Sequence, residues 1–426
     1  MRRGEIYFKN LMVQIFRDHW DQFKRFNKEH IDKNIEENVE KMLGCGLLEN
    51  GYYEYICTNC LKKKKIGFSC KSRFCLGCSK VYIDKWVGRM QGVIFKRIKH
   101  RHIILTVPGS LWGYFHGGRM LKKLSDCGVK TIKEVMEVCN KGEGLNAGMI
   151  VVTQTAGRAS NWNPHLHMLV TEGGLDNRGR WQDFYWFEYE ILRKKWMYNL
   201  LKMVKEEYRG NEEVMRRVEE IYEKRKGVGL IARAKKEKVR KREIVGYLIK
   251  YVTSPPIALS RITGYDGESV TYYYREHPTD RKVTTTVSAY EFIRRMIQHI
   301  PEKGMKLVRH YGLYAFRVVR KVREKLELLF SKVRGVAQEF QKLFKVMGPD
   351  INYRERVIRS FGKDPLRCDS CGKEMELWRI WHPIHGVVYR YEDNCIPIIE
   401  GMDENKKEER EGWSTQPQIK QLCFAF

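Results

Sequence analysis

The chain reads as an α+β protein: an antiparallel sheet carrying helices on one face, with a small cysteine-rich module ahead of it. Three observations predict this. Residues 101–108 and 148–155 are β-branched runs of strand length, and residues 165–170 (His-Leu-His-Met-Leu-Val) continue the same texture. Apolar residues at helical spacing lie before, between and after these runs, among highly charged neighbours. Paired cysteines precede the first strand.

The stretch to start from is Asn161-Trp162-Asn163-Pro164-His165-Leu166-His167. Pro164 resists a helix, and along a strand alternate side chains share a face, so His165 and His167 point the same way, about 7 Å apart. Two such imidazoles can hold one divalent ion if a third group approaches from a neighbouring element. A lone His-x-His is more often the polar face of an amphipathic strand, so the rest of the chain has to decide.

The composition narrows the partners. With 426 residues there is ample chain for a buried core. Eighty Lys and Arg against 52 Asp and Glu leave a net charge of +28, which points to a polyanion, and nucleic acid first. No apolar run reaches the ~18 residues that would cross a bilayer, so no membrane role is expected. The first residues, Met1-Arg2-Arg3-Gly4-Glu5, do not resemble a signal peptide, and the expectation is an intracellular, cytoplasmic protein. In that compartment the twelve cysteines read as zinc ligands and buried thiols rather than disulfides.

In chain order, residues 1–44 carry a helical stripe (Leu11, Ile15, Trp20, Phe23, Phe26, then Ile31, Ile35, Val39, Met42). A zinc-binding domain is expected over 45–95. Its two Cys-x2-Cys knuckles, Cys57 with Cys60 and Cys75 with Cys78, stand fourteen residues apart, the spacing of a four-thiolate site; Cys70 is a fifth candidate. The lysines and arginines around them favour the thiolate forms and offer a DNA-contacting surface.

The core is expected over 96–265, with a basic helical insertion at about 175–242 whose stripes are Leu192, Trp196, Leu200 and Met203, then Val214, Val218 and Tyr222. The insertion closes on the densest basic run of the chain, containing Lys235, Lys236, Lys238, Arg240, Lys241 and Arg242, the expected DNA-binding residues. Next comes a helical pattern, 243–254, ended by Pro255-Pro256. Tyr247 and Tyr251 stand at i and i+4 and share one face of it. Such a pair is usually a core contact, but a phenol can also form a covalent intermediate with phosphate.

Residues 266–350 hold a hairpin, 270–275 with 282–287, and a helix announced by the capping-box pair Ser288 and Glu291, followed by Arg309-His310-Tyr311-Gly312. The last segment, 351–426, has a knuckle at Cys368 and Cys371, with His382, His385 and Cys395 as partners for a second zinc site, and then a polar tail.

Zinc knuckles, a Leu-Thr-Val-Pro strand, Asn-Pro-His-Leu-His-Met-Leu-Val, a Tyr-x3-Tyr helix ending in Pro-Pro, and Val-Arg-His-Tyr-Gly, in this order, resemble the HUH-class rolling-circle transposases with two tyrosines, of the insertion-sequence IS91 family. The likeness spans about residues 10–315 and the knuckle at Cys368. It implies an antiparallel-sheet HUH endonuclease core related to the RNA-recognition fold, with His165 and His167 binding magnesium or manganese and Tyr247 and Tyr251 as nucleophiles. The motif does not supply the third ligand; Gln154, on the strand expected beside the histidines, is preferred over Glu243.

The implied activity is nicking and strand transfer of single-stranded DNA, at element ends with hairpins, through a 5'-phosphotyrosine link that conserves bond energy, so no nucleotide cofactor is needed. Trp162 is a candidate for stacking on a base, although a tryptophan in such a place is more often a loop anchor. A rolling-circle replication initiator or relaxase shares this chemistry; the cysteine module and the lack of a Gly-x4-Gly-Lys-Ser/Thr motif favour the transposase. A non-catalytic zinc protein that binds nucleic acid is the rival from another class.

Overall fold

The computed structural model describes residues 11–79, 90, 93–95, 98, 99–140, 144–184, 188–234, 256–276, 279–319, 321–322, 354–355, 358 and 364–391. Its centre is a six-stranded antiparallel sheet. The strands are β3 (His100–Thr106), β4 (Asn146–Ala156), β5 (Trp162–Leu175), β6 (Trp181–Asp183), β7 (Ala232–Ala234) and β11 (Val308–Gly312). The order is β11-β4-β5-β3-β7, with β6 paired to the far end of β5. The three runs read as strands in the sequence are therefore the three central ones, and the protein is α+β as expected.

Alternation along β5 assigns its two faces. Leu166, Met168 and Val170 point to one side, where with Ile103, Leu105, Met149 and Val151 they form the main core. Three helices cover that side: α3 (Gly118–Cys139), α4 (Tyr189–Glu207) and α5 (Glu212–Arg225). The basic helical insertion thus belongs to the main core. Leu192, Trp196, Leu200, Val214 and Val218 are buried in it, each fully buried side chain contributing ~1.5–3 kcal/mol. Tyr222 leaves the expected stripe, and Ile221 takes its place because i+3 from Val218 faces the core more squarely than i+4.

The opposite face of the sheet carries His165, His167 and Leu169 of β5, registered against Gln154, Val152 and Ile150 of β4. Leu169, Val152 and Ile150 pack there with Met90, Ile94, Phe95, Ile98, Leu313 and Tyr314. Gly312 ends β11 at φ +57°, where a Cβ would stand 1.8 Å from the Ala147 carbonyl oxygen. The glycine of the Arg-His-Tyr-Gly motif is thus demanded by backbone contact. Gly312→Ala is expected to cost at least ~2 kcal/mol, read as a lowered denaturant midpoint at unchanged slope.

A second core joins parts remote in sequence. It combines α1 (Leu11–Phe26), α2 (Lys33–Leu43), the sheet β8 (Ile262–Tyr265), β9 (Ser269–Arg275) and β10 (Lys282–Ser288), and α6 (Ala289–Ile297). The expected hairpin is present, with Val270 opposite Val287 and Arg275 opposite Lys282. Ser288 caps α6, its hydroxyl accepting from the Glu291 amide at 3.2 Å. Phe26, counted in the sequence stripe of α1, is 73% exposed at the helix end.

A third sheet, order β13-β12-β1-β2, pairs β1 (Tyr52–Cys57) and β2 (Lys63–Gly67) with β12 (Met375–His382) and β13 (Gly386–Arg390). Among the described residues no helix is long and apolar enough to cross a membrane.

Candidate active site and cysteine clusters

The histidine pair falls where strand alternation puts it. His165 and His167 share the face opposite the helices, their ring centroids 4.9 Å apart. His165 Nδ1 donates to the Asn163 carbonyl at 2.7 Å, which fixes the tautomer and leaves Nε2 with its lone pair. His167 is held from both sides: its Nε2 lies 3.0 Å from Gln154 Oε1, and its Nδ1 lies 3.1 Å from His102 Nε2. Burial holds both imidazoles below the ordinary histidine range, His167 the more so because His165 and His102 stand beside it. Neutral imidazole is the form that binds a metal.

Gln154, the third ligand expected from a strand beside the histidines, stands opposite His165 with its amide oxygen at the His167 ring. The 3.0 Å separation matches the edge between neighbouring ligands of a six-coordinate ion with bonds of about 2.1 Å, which is ~3.0 Å. Two neutral imidazoles and one amide oxygen make a mixed nitrogen and oxygen donor set able to hold a divalent ion.

His102 is a further partner. Strand alternation puts residues 100, 102 and 104 on one face, but only the pairing of β3 with β5, Ile104 opposite His167, brings His102 to the site.

Tyr247, Tyr251, Glu243 and the basic residues Lys235, Lys236, Lys238, Arg240, Lys241 and Arg242 lie outside the described residues. The chain on either side of them is described. β7 pairs with β3, Ala234 opposite Ile103, and at the other end the Pro256 carbonyl accepts from Ser160 Oγ at 3.0 Å, just before β5 begins.

Trp162 does not offer a free ring face. His116 stacks on it at 4.3 Å and His299 at 5.8 Å, and its indole N–H donates to the Trp112 carbonyl. The residue is an anchor for the entry to β5, which replaces its reading as a base platform. Burial lowers the pKa of His299 to about 4 from the ordinary 6.5. The unfolded chain therefore binds the extra proton between these values, and stability complete above pH 6.5 is lost as pH falls toward 4. His299→Gln is expected to flatten that acid limb in denaturation measured from pH 7 to 4.

The cysteines form two groups, and the grouping drawn from spacing is corrected. Cys57 and Cys60 do not meet Cys75 and Cys78. Instead Cys45, Cys70, Cys75 and Cys78 form one cluster and Cys57, Cys60, Cys368 and Cys371 the other, with all ligand atoms of each within 4.8 Å of one another. Cys70, the fifth candidate, is in the first; Cys45, which no knuckle announces, completes it because α2 ends beside the loop at Cys70.

The knuckle at Cys368 is completed by Cys57 and Cys60 rather than by His382 and His385, whose rings stack on each other at 4.9 Å. Cys395 lies outside the described residues. Spacing along the chain shows which sulfurs pair locally, but the choice of partner pair depends on how β1 and β12 align.

One face of the third sheet alternates aromatic and basic groups. Tyr52 stacks on Trp381 at 5.5 Å, Lys65 lies over Tyr52 at 4.6 Å and Lys63 over Trp378 at 5.7 Å. Arg379 lies beside Tyr52 and pairs with the buried Glu54 at 2.8 Å.

Comparison with known proteins bears on the whole of this arrangement. Residues 148–322 match the family model described as "Putative transposase", and residues 15–107 match that described as "Transposase zinc-binding domain". The transposase for insertion sequence element IS801 of Pseudomonas savastanoi pv. phaseolicola is 29% identical over 352 residues, covering 80% of this chain and 82% of the relative. "Putative transposase y4qJ" of Sinorhizobium fredii (strain NBRC 101917 / NGR234) is 20% identical over 345 residues, covering 77% and 84%. No solved structure matches. With a zinc-binding domain leading into a transposase domain, and a relative of known kind along most of its length, this chain belongs to the insertion-sequence transposases of the IS91 family.

Proposed function

We propose that this transposase nicks single-stranded DNA and transfers the cut strand through a tyrosine-linked intermediate, in the rolling-circle manner. One observation carries the reading: two neutral imidazoles, half-buried His165 and buried His167, and the amide oxygen of Gln154 converge on one sheet face, and the segment bearing Tyr247 and Tyr251 leaves from β7 and returns at Pro256 beside the start of β5. His165, His167 and Gln154 would hold magnesium or manganese, which would supply positive charge to the non-bridging oxygens of the scissile phosphate.

The protein's own residues do the rest. The Asn163 carbonyl and His102 orient the two imidazoles, as outer partners of metal ligands do. Tyr247 or Tyr251, after losing its phenolic proton, attacks phosphorus. An O–P bond to tyrosine forms as the P–O3' bond breaks, and the departing 3'-oxygen takes up a proton. The phosphodiester energy is kept, so a later 3'-hydroxyl reverses the step on a new strand without a nucleotide cofactor. The second tyrosine, four residues away in the chain, cuts while the first is occupied.

The substrate is single-stranded because a duplex would hold its phosphate away from a site recessed on a sheet. The basic segment 235–242 and the aromatic-cationic face of the zinc sheet grip the strand, by charge and by stacking.

The test is an end-labelled single-stranded oligonucleotide carrying an element end, incubated with the protein and manganese. A protein–DNA adduct that survives denaturation is expected, lost in the Tyr247→Phe/Tyr251→Phe double variant. An adduct that persists in the double variant would remove the tyrosines from the mechanism. DNA binding without any adduct would leave a binding protein.

A further inference from the structure

We propose that Cys57, Cys60, Cys368 and Cys371 bind a second zinc ion, which fastens the chain beyond the transposase domain to the module that precedes it. The matched zinc-binding domain ends at residue 107, so half of this ligand set lies outside it. The proposal does not depend on the DNA chemistry.

The geometry is that of two facing knuckles. Cys57 Sγ lies 3.4 Å from Cys371 Sγ, and Cys60 Sγ lies 3.5 Å from Cys368 Sγ. A disulfide would bring sulfurs to about 2.05 Å. Four thiolates on a tetrahedral zinc with bonds of ~2.3 Å stand about 3.8 Å apart, close to what is found.

The two loops also repeat each other. In the first, the Leu61 amide donates to the Cys57 carbonyl at 2.8 Å with Leu61 at φ +57°; in the second, the Gly372 amide donates to the Cys368 carbonyl at 3.0 Å with Gly372 at φ +72°. Leu61 holds a left-handed conformation that only a fixed loop imposes on such a residue. A knuckle turns this way so that backbone N–H groups face its sulfurs. Around the site, Lys62 Nζ donates to Ser370 Oγ at 2.9 Å and Lys64 pairs with Asp369 at 3.1 Å, so each knuckle also carries side chains for the other.

Its consequence is topological. β1 pairs with β12 from Tyr52 opposite Trp381 to Cys57 opposite Met375, and the whole matched transposase domain, 148–322, lies in the chain between them. The apolar core around the site is small: Cys57, Cys368 and Met375 are its buried members, with Tyr55 packed on them. The strand pairing must offset the entropy of joining segments this far apart in the chain, and an ion that binds only the joined form adds its binding free energy to that pairing. The zinc module is therefore discontinuous, with the transposase domain inserted in it.

Zinc counted by mass spectrometry on the full-length chain is expected to give two ions per chain, one in Cys368→Ser/Cys371→Ser and one in Cys57→Ser/Cys60→Ser. His382→Ala/His385→Ala should retain two. In the Cys368→Ser/Cys371→Ser variant, amides of both β1 and β12 should exchange with deuterium at least ~10-fold faster. Cys371→His keeps a zinc ligand and should retain two ions; with cobalt in place of zinc, its thiolate charge-transfer band should fall relative to the parent, which guards against a serine variant that fails to fold. One ion in the parent chain, two in either serine variant, or unchanged exchange in β1 and β12 would each overturn the proposal.

Discussion

His167→Ala is expected to lower single-strand cleavage by about 10³-fold or more in manganese while DNA affinity stays within a few-fold. The metal's charge on a phosphate in transition is worth several kcal/mol, and ~4 kcal/mol corresponds to that factor. Affinity is spared because His167 is 2% exposed and would meet the strand only through the ion, while most of the binding free energy comes from basic groups elsewhere.

His167 also joins β5 to Gln154 and His102, so its loss carries a structural cost, and His167→Asn, which keeps a polar group there, separates the two effects. If the Asn variant melts like the parent and still does not cut, ligation is the cause. Cleavage within tenfold of the parent in the Ala variant would end the ion's assignment to this pair. Gln154→Ala should act more gently, raising the manganese needed for half-maximal cutting by ~10-fold or more; no change would dismiss it as third ligand.

Stripping metal from the cluster of Cys45, Cys70, Cys75 and Cys78 should destabilise the protein by at least ~5 kcal/mol, lowering Tm by roughly 5 °C or more. This cluster is set inside the second core, where Cys45, Cys75 and Cys78 are buried with Met12, Phe16, Trp20 and Phe74. Without an ion, four sulfurs must share protons there. The thiol of Cys70 drives Cys45 strongly toward the thiolate, and Cys45 in turn pushes Cys70 and Cys78 toward the protonated form. An ion replaces that arrangement with four equal bonds.

The ligands bind as thiolates, so binding releases protons, and the ion is held at neutral pH and released as pH falls. Chelator treatment should therefore succeed faster at pH 5.5 than at pH 7.5, and Cys75→Ser/Cys78→Ser should reproduce the lowered Tm without chelator. A metal-free protein melting at the parent temperature would show that apolar packing alone supports this core.

Much of the molecule was legible along the chain. The central strands, the capped helix at Ser288, the hairpin at 270–287 and the shared face of His165 and His167 each follow from a period of two, a period of 3.6 or a cap, which are properties of neighbouring residues. Gln154 was within reach too, because adjacent antiparallel strands put their polar ends opposite one another. His102 and Cys45 were not, because each joins its site only through a neighbour in space: β3 laid beside β5, and the end of α2 laid beside Cys70.

By itself the order of residues determined that this protein has a polyanion-seeking charge, strands bearing an imidazole pair, and sulfurs arranged in knuckles of two. Each of those rests on bonds and steric preferences spanning a few residues, which no distant part of the chain can revise. Which knuckle faces which was settled only on folding, when β12 came back across more than three hundred residues to pair with β1. A Cys-x2-Cys pair has the same local geometry whatever closes its other half, so only the register of two remote strands could choose the partner.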